Sequence, residues 1–242
     1  MVAGAQTFGA ILRRNSAQFS AQFSHRRPIA PAQATVDCAA EHRDAGGPCA
    51  VVGVDVAAGE AWLDPSSPLH APTVAALADA RRRGLPITLH AGEEGGAENV
   101  LRCTREYGAS RIGHGYQAAA PEAAAVMSEL IAAGVHFEAC PTSSWWTSGW
   151  RGPASERSHW PAHPLTRMVA AGASCGINSD DPAVFATSLG AEYSLAAERI
   201  GLTTQQMQQR VLDAADASFQ SPAERRALKR VVRESFVRPA AA

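Results

Sequence analysis

No stretch of the sequence holds the ~18 or more consecutive apolar residues that a bilayer span requires, and Arg13 and Arg14 interrupt the one candidate near the start. Membrane residence is therefore not expected. Charge of one sign is also scarce: 22 Lys and Arg face 23 Asp and Glu without long runs, for a net charge of -1. Such a surface has no footprint for nucleic acid or an acidic membrane, which leaves a small molecule as the expected partner. The five cysteines, Cys38, Cys49, Cys103, Cys140 and Cys175, are odd in number and show no CxxC spacing. Neither a disulfide framework nor a thiolate metal site is indicated, and a reducing cytoplasm fits best. No Asp or Glu precedes Asp37, while Arg13, Arg14, Arg26 and Arg27 do. That is the composition of an organellar transit peptide, but the stretch is read here as a worn part of the domain, and its tandem 16–19 and 20–23 repeat as local low complexity.

With 46% apolar residues over 242 positions, the chain can bury a full core. From about residue 49, short β-type runs alternate with helical patterns, which predicts βα units stacked into a parallel sheet. The strand candidates are 49–56, 86–90, 111–115, 135–140 and 174–178, each brief and mostly apolar or small, as strands buried on both faces would be. Helices are expected at 72–83, 97–107, 121–133 and 164–171, closed by Gly84, Gly108, Gly134 and Gly172. Three more helices fill 189–237, one is expected at 32–44, and a poor strand near 19–24. The 92–96 loop has neither GxGxxG nor a P-loop lysine. Periodicity alone leaves a doubly wound sheet and part of an eight-stranded barrel equally open.

Ionisable groups recur where the strand candidates end: His90 and Glu93, then His114, Ser143 and Ser144, and finally Asp180 with Asp181. In parallel α/β folds the carboxyl ends of strands converge on one face, where active sites form. His90 and Asp180 offer nitrogen and oxygen donors suited to zinc, and Glu93 stands where a carboxyl group exchanges a proton with a bound substrate. His114 lies between Gly113 and Gly115, whose lack of side chains would admit a substrate or water. Asp180-Asp181 sits between Asn178-Ser179 and Pro182; adjacent carboxylates repel unless a cation or donor compensates them. Trp145, Trp146 and Trp150 share one expected loop, as a pocket wall or a satellite core.

The runs Leu89-His90-Ala91-Gly92-Glu93, Arg111-Ile112-Gly113-His114-Gly115-Tyr116, Cys140-Pro141-Thr142-Ser143-Ser144 and Asn178-Ser179-Asp180-Asp181-Pro182 resemble, in order and spacing, the later motifs of the adenosine deaminase family. Val51 to Glu60 is similar to the strand before them. The likeness covers roughly 49–236 and, less securely, 5–48, which reads as a degraded strand and helix before the barrel part at 49–242. It implies a (β/α)₈ TIM barrel of the metal-dependent hydrolase type, incomplete at the N-terminus, with Zn²⁺ at its C-terminal face. The implied reaction is hydrolytic deamination of adenosine and 2′-deoxyadenosine to inosine and ammonia. His90 and Asp180 would be zinc ligands, Glu93 the proton donor to purine N1, and His114 the group that orients and deprotonates water. Asp181 and Ala58 would contact the purine nucleoside. Two features depart from the family pattern: the sequence contains no HxH pair, which the family uses as two further zinc ligands, and Ala58 stands where the family has glycine. A deaminase of another aminopurine, and a purine-nucleoside binder without turnover, are the alternatives these motifs leave.

Overall fold

The computed structural model describes residues 32–44, 51–57, 59–150 and 160–237. Five parallel strands form one sheet in the order β1-β2-β3-β4-β5: β1 Val54–Val56, β2 Ile87–Ala91, β3 Arg111–His114, β4 His136–Ala139 and β5 Ser174–Ile177. Each strand pairs with its successor in the chain, so the sheet never reverses. A doubly wound sheet must reverse to place helices on both faces; a sequential order is the arc of a β/α barrel. The expected poor strand at 19–24 lies outside the described residues.

Around the sheet run α1 Ala32–Asp44, α2 His70–Arg82, α3 Ala97–Arg105, α4 Ala124–Ala132, α5 Pro141–Thr147, α6 Pro164–Ala170, α7 Leu189–Leu195, α8 Thr204–Asp216 and α9 Pro222–Val237. No described helix is long and apolar enough to cross a membrane. In α2 the buried residues Thr73, Ala76, Leu77 and Ala80 recur at the spacing of one helical face. The helix α2 packs on α1 and β2, and α6 and α8 pack on β5. At the end of α4, Gly134 adopts φ 71°, and its N–H and that of Val135 close on Ile131 and Leu130. That left-handed residue, costly for any side chain but glycine, turns the chain into β4.

The strands are not apolar on both faces. Their register puts Val56, Leu89, Ile112, Phe137 and Cys175 in one row, and these share a single apolar core with the helices. The alternate residues form two polar rows, Asp55-Thr88-Arg111-His136-Ser174 and His90-Gly113-Glu138-Gly176. Period-2 alternation is therefore intact, with the polar face turned away from the helical layer. Its buried charges are matched: Arg111 Nε donates to Glu138 Oε1 at 2.6 Å, and Thr88 Oγ1 donates to Oε2 at 3.2 Å. Burial opposes the Glu138 charge, but Arg111 together with His90 and His136 outweighs it and holds the carboxyl at about 2.

Two elements differ from expectation. The first strand is confined to Val54–Val56, where β2 supplies its pairing. The segment after Cys140 is no loop but the helix α5, with Pro141 at its first position, where its fixed φ and missing N–H are suited.

Two buried imidazoles make the fold acid-sensitive. Burial, reinforced by Arg111, lowers His136 to about 4, and burial with Arg167 lowers His163 to about 3. Unfolded, both titrate near 6.5. Between these limits the unfolded chain binds more protons, so stability present above pH 6.5 is lost as pH falls. For the metal-free protein we expect a loss approaching about 2.7 kcal/mol per pH unit between pH 6 and 5, measured as urea midpoints. A midpoint that does not move over that range contradicts it.

Candidate metal and proton-transfer site

The site is assembled at the carboxyl ends of β1, β2, β3 and β5. His90, near the end of β2, lies over Gly113, its register partner on β3. A Cβ on Gly113 would stand 2.6 Å from the His90 ring. Asp55, on β1, receives the other side of that ring, with Oδ1 3.1 Å from Nδ1, which leaves Nε2 as the nitrogen available for ligation. Burial opposes a charge on His90, but Asp55, aided by Glu138 and Asp180, raises it to about 9 in the metal-free chain. Asp55 is itself buried, and its Oδ2 has no hydrogen-bond partner.

His114 ends β3 with φ 63°, followed by Gly115 at φ 70°. A left-handed conformation is costly for a residue with a Cβ, and here it coincides with a side chain aimed into the site. His114 Nε2 lies 3.3 Å from Glu93 Oε2 and 3.8 Å from Asp180 Oδ2. Its ring meets that of His90 edge-on at 5.2 Å. Burial is the largest influence and lowers its pKa, so the imidazole is neutral near pH 7. The two flanking glycines do not serve to admit substrate, as expected from the sequence. Gly113 makes room for the His90 ring, and a Cβ on Gly115 would strike Phe137 at 2.4 Å.

Glu93 projects from the loop between β2 and α3. One buried carboxylate fixes that loop: Glu60 Oε1 accepts the backbone N–H groups of Glu93, Glu94 and Gly95, each at 2.9 Å, while Oε2 accepts from Asn99 Nδ2 at 2.7 Å. From the other side, Thr147 Oγ1 donates to Glu93 Oε1 at 2.7 Å. Asp180 stands in the turn after β5 with φ 53°. Asp181, next to it, is exposed and its carbonyl accepts from Val184 and Phe185. Asp181 is outside the His90, His114 and Asp180 group, and Ala58 lies outside the described residues.

The serines and tryptophans have other work. Ser143 and Ser144 are buried and donate to carbonyls of their own segment. His163 Nδ1 accepts from Leu165 N–H, so its proton is on Nε2 and is donated to Ser144 Oγ at 3.0 Å. This histidine is thus a donor to the serine, not its base. Trp145 and Trp146 lie within α5; Trp145 stacks on Trp160 at 5.1 Å, and Trp150 packs on His163 at 4.6 Å. Trp145, Trp150 and Trp160 form an aromatic cluster that joins the main core through Trp160, while Trp146 projects into solvent. Sequence reasoning assigned no part to Asp55, Glu60, Thr147 or Glu192. The last is fully buried and ties α5 to the turn after Asp181 through Thr142 N–H and Thr187 Oγ1.

The donor set fits a divalent metal of borderline softness. His90, His114 and Asp180 each offer a ligand atom within 4.8 Å of the other two. A buried carboxylate on the far nitrogen of His90 is the arrangement that orients a ligating imidazole.

The adenosine deaminase family profile matches residues 3–235. An adenosine deaminase of Shigella boydii is 38% identical over 153 residues, which are 63% of this chain and 43% of that protein. The chain thus spans less than half the length of that relative. Among solved structures, adenine deaminase from Arthrobacter aurescens is 25% identical with a TM-score of 0.67, covering 83% of this chain and 58% of that one. The N6-methyl-AMP deaminase of Arabidopsis thaliana is 26% identical with a TM-score of 0.67, covering 84% and 54%. An amidohydrolase from Burkholderia ambifaria with bound Zn shares the fold, with a TM-score of 0.70 at 23% identity over 85% and 52% of the two chains. With its sequential parallel sheet and a family match over almost its full length, the chain belongs to the adenosine deaminase family.

Proposed function

We propose that this chain carries the proton-transfer and metal-binding part of a zinc-dependent hydrolytic deaminase acting on adenosine and 2′-deoxyadenosine. The observation that carries this reading is the convergence of His90, His114 and Asp180 at strand ends, with the Glu93 carboxyl 3.3 Å from His114. His90 and Asp180 would hold the zinc, with His114 Nε2 beside them. Zinc held there would lower the pKa of a water to about 7. His114, neutral through burial, would accept the proton of the attacking water at Nε2 and pass it to the exocyclic amine, which leaves as ammonia, while the proton of the new hydroxyl would return to Glu93 as the C6 carbonyl forms. Glu93 would be the proton donor to purine N1, which relieves the negative charge that develops when C6 is attacked. Asp181 and Ala58 are the proposed purine contacts.

The Arabidopsis and Arthrobacter neighbours are named for N6-methyl-AMP and adenine, which favours one second reading: another aminopurine as substrate. Turnover of adenosine, 2′-deoxyadenosine, adenine and N6-methyl-AMP, followed by the absorbance change, separates the two. Zinc per chain, measured in parallel, tests both: near one zinc with turnover supports a deaminase, and no zinc with no turnover overturns it.

Asp55 supplies a further expectation. Asp55→Ala removes the partner that fixes the His90 ring, and zinc affinity should fall about 10- to 100-fold, read by competition with a chelating dye. Unchanged affinity would show that His90 is not a ligand.

A further inference from the structure

We propose that Thr147 is a positioning residue for Glu93, selecting which carboxyl oxygen carries the proton to be transferred. The inference rests on the reading of Glu93 as the proton donor.

The two oxygens of Glu93 have different surroundings. Oε2 faces His114 Nε2 at 3.3 Å; Oε1 faces away, toward the C-terminal end of α5. There Thr147 Oγ1 is 2.7 Å from Oε1 and 3.0 Å from the carbonyl of Ser143, one helical turn back. Gly149 leaves the space that the carboxyl occupies, since a Cβ there would come within 2.6 Å of Glu93 Cγ and Oε1. A threonine hydroxyl has one hydrogen and two lone pairs. If it is given to Ser143, Oε1 must carry the carboxyl proton to bond Thr147, and the proton is then on the wrong side. When it is given to Glu93, Oε1 is an acceptor and the carboxyl proton is confined to Oε2, which faces the site. The second state alone is productive, and the same bond stabilises the carboxylate left after transfer. Two further restraints keep Glu93 within reach. Glu60 anchors its backbone N–H, and the contact of Thr147 Oγ1 with the Ser143 carbonyl belongs to one of the two rotamers open to helical threonine.

Thr147→Val preserves shape and removes the hydroxyl. In the zinc-loaded protein we expect kcat to fall about 10- to 100-fold, with KM within about two-fold and zinc content and melting temperature unchanged. Thr147→Ser should recover most of the loss, because serine places a hydroxyl at the same position. In a double-mutant cycle, Thr147→Val should add nothing to Glu93→Gln, since no carboxyl proton remains to be placed. Additive losses, failure of serine to rescue, or a loss expressed in KM would overturn the assignment. Wild-type protein that binds zinc without deaminating would instead overturn the reading of Glu93, and with it this role.

Discussion

Glu93→Gln should lower deamination by about 10³-fold while zinc content and melting temperature stay at the wild-type values. Glutamine keeps the volume and one carbonyl oxygen, so the bond from Thr147 Oγ1, now 2.7 Å, has an acceptor after the change. The backbone N–H of residue 93 still donates to Glu60, and the loop keeps its path. What is lost is an acidic proton, because an amide N–H cannot be released to a ring nitrogen on the time scale of turnover. General acid catalysis contributes roughly 10²- to 10⁴-fold, and here no neighbour takes over. His114, 3.3 Å away, is held neutral by burial and in the proposed reaction accepts the proton of water. Glu94→Gln is the control: this side chain is exposed and stands one residue away, so its loss should leave the rate within about two-fold. The measurement is the initial rate of absorbance change at saturating adenosine. A Glu93→Gln rate within ten-fold of wild type would show that the proton reaches N1 from elsewhere.

His90, His114 and Asp180 were legible in the sequence because ionisable groups at strand ends announce themselves twice: by their chemistry and by their place after a short apolar run. The structure brings those three together, and Glu93 beside them. The polar face of the sheet was hidden by small residues. Gly113 and Gly176, both on the polar face, carry no side chain to mark it, and only the register reveals that His90, Gly113, Glu138 and Gly176 form one row. Asp55, within Val51-Val-Gly-Val-Asp55-Val, carried a readable signal: a carboxylate inside an apolar strand needs a partner, and it has His90. The CPTSSWW segment reads as a loop in the sequence because Pro141 and paired serines are turn formers locally. At a helix start, however, proline is at home, and the two serine hydroxyls turn back to helix carbonyls. Thr147 left no mark, since its partner Glu93 is 54 residues away.

Glu60 left little trace in the sequence, and its removal should strongly damage stability. Glu60→Ala takes the acceptor from three backbone N–H groups and from Asn99 Nδ2 at once, at a residue only 7% exposed. A stranded buried donor costs about 1–3 kcal/mol. Water reaches the exposed Glu94 side of the loop and recovers part of this, so the net loss should be about 3–5 kcal/mol, a large share of the 5–15 kcal/mol typical of a folded domain. Glu60→Gln separates shape from charge. Its carbonyl oxygen still accepts from the three N–H groups, and Asn99 turns its amide over to present oxygen to the new NH₂. The remaining deficit is the weaker bonding of a neutral acceptor, about 1–2 kcal/mol. Urea unfolding of the three proteins gives the order wild type, Gln, Ala. A Glu60→Ala protein within 1 kcal/mol of wild type would mean that the 93–95 loop holds its shape without the carboxylate. If the ordering holds, activity should follow it more steeply than stability does, since the same three bonds fix the backbone from which Glu93 reaches His114.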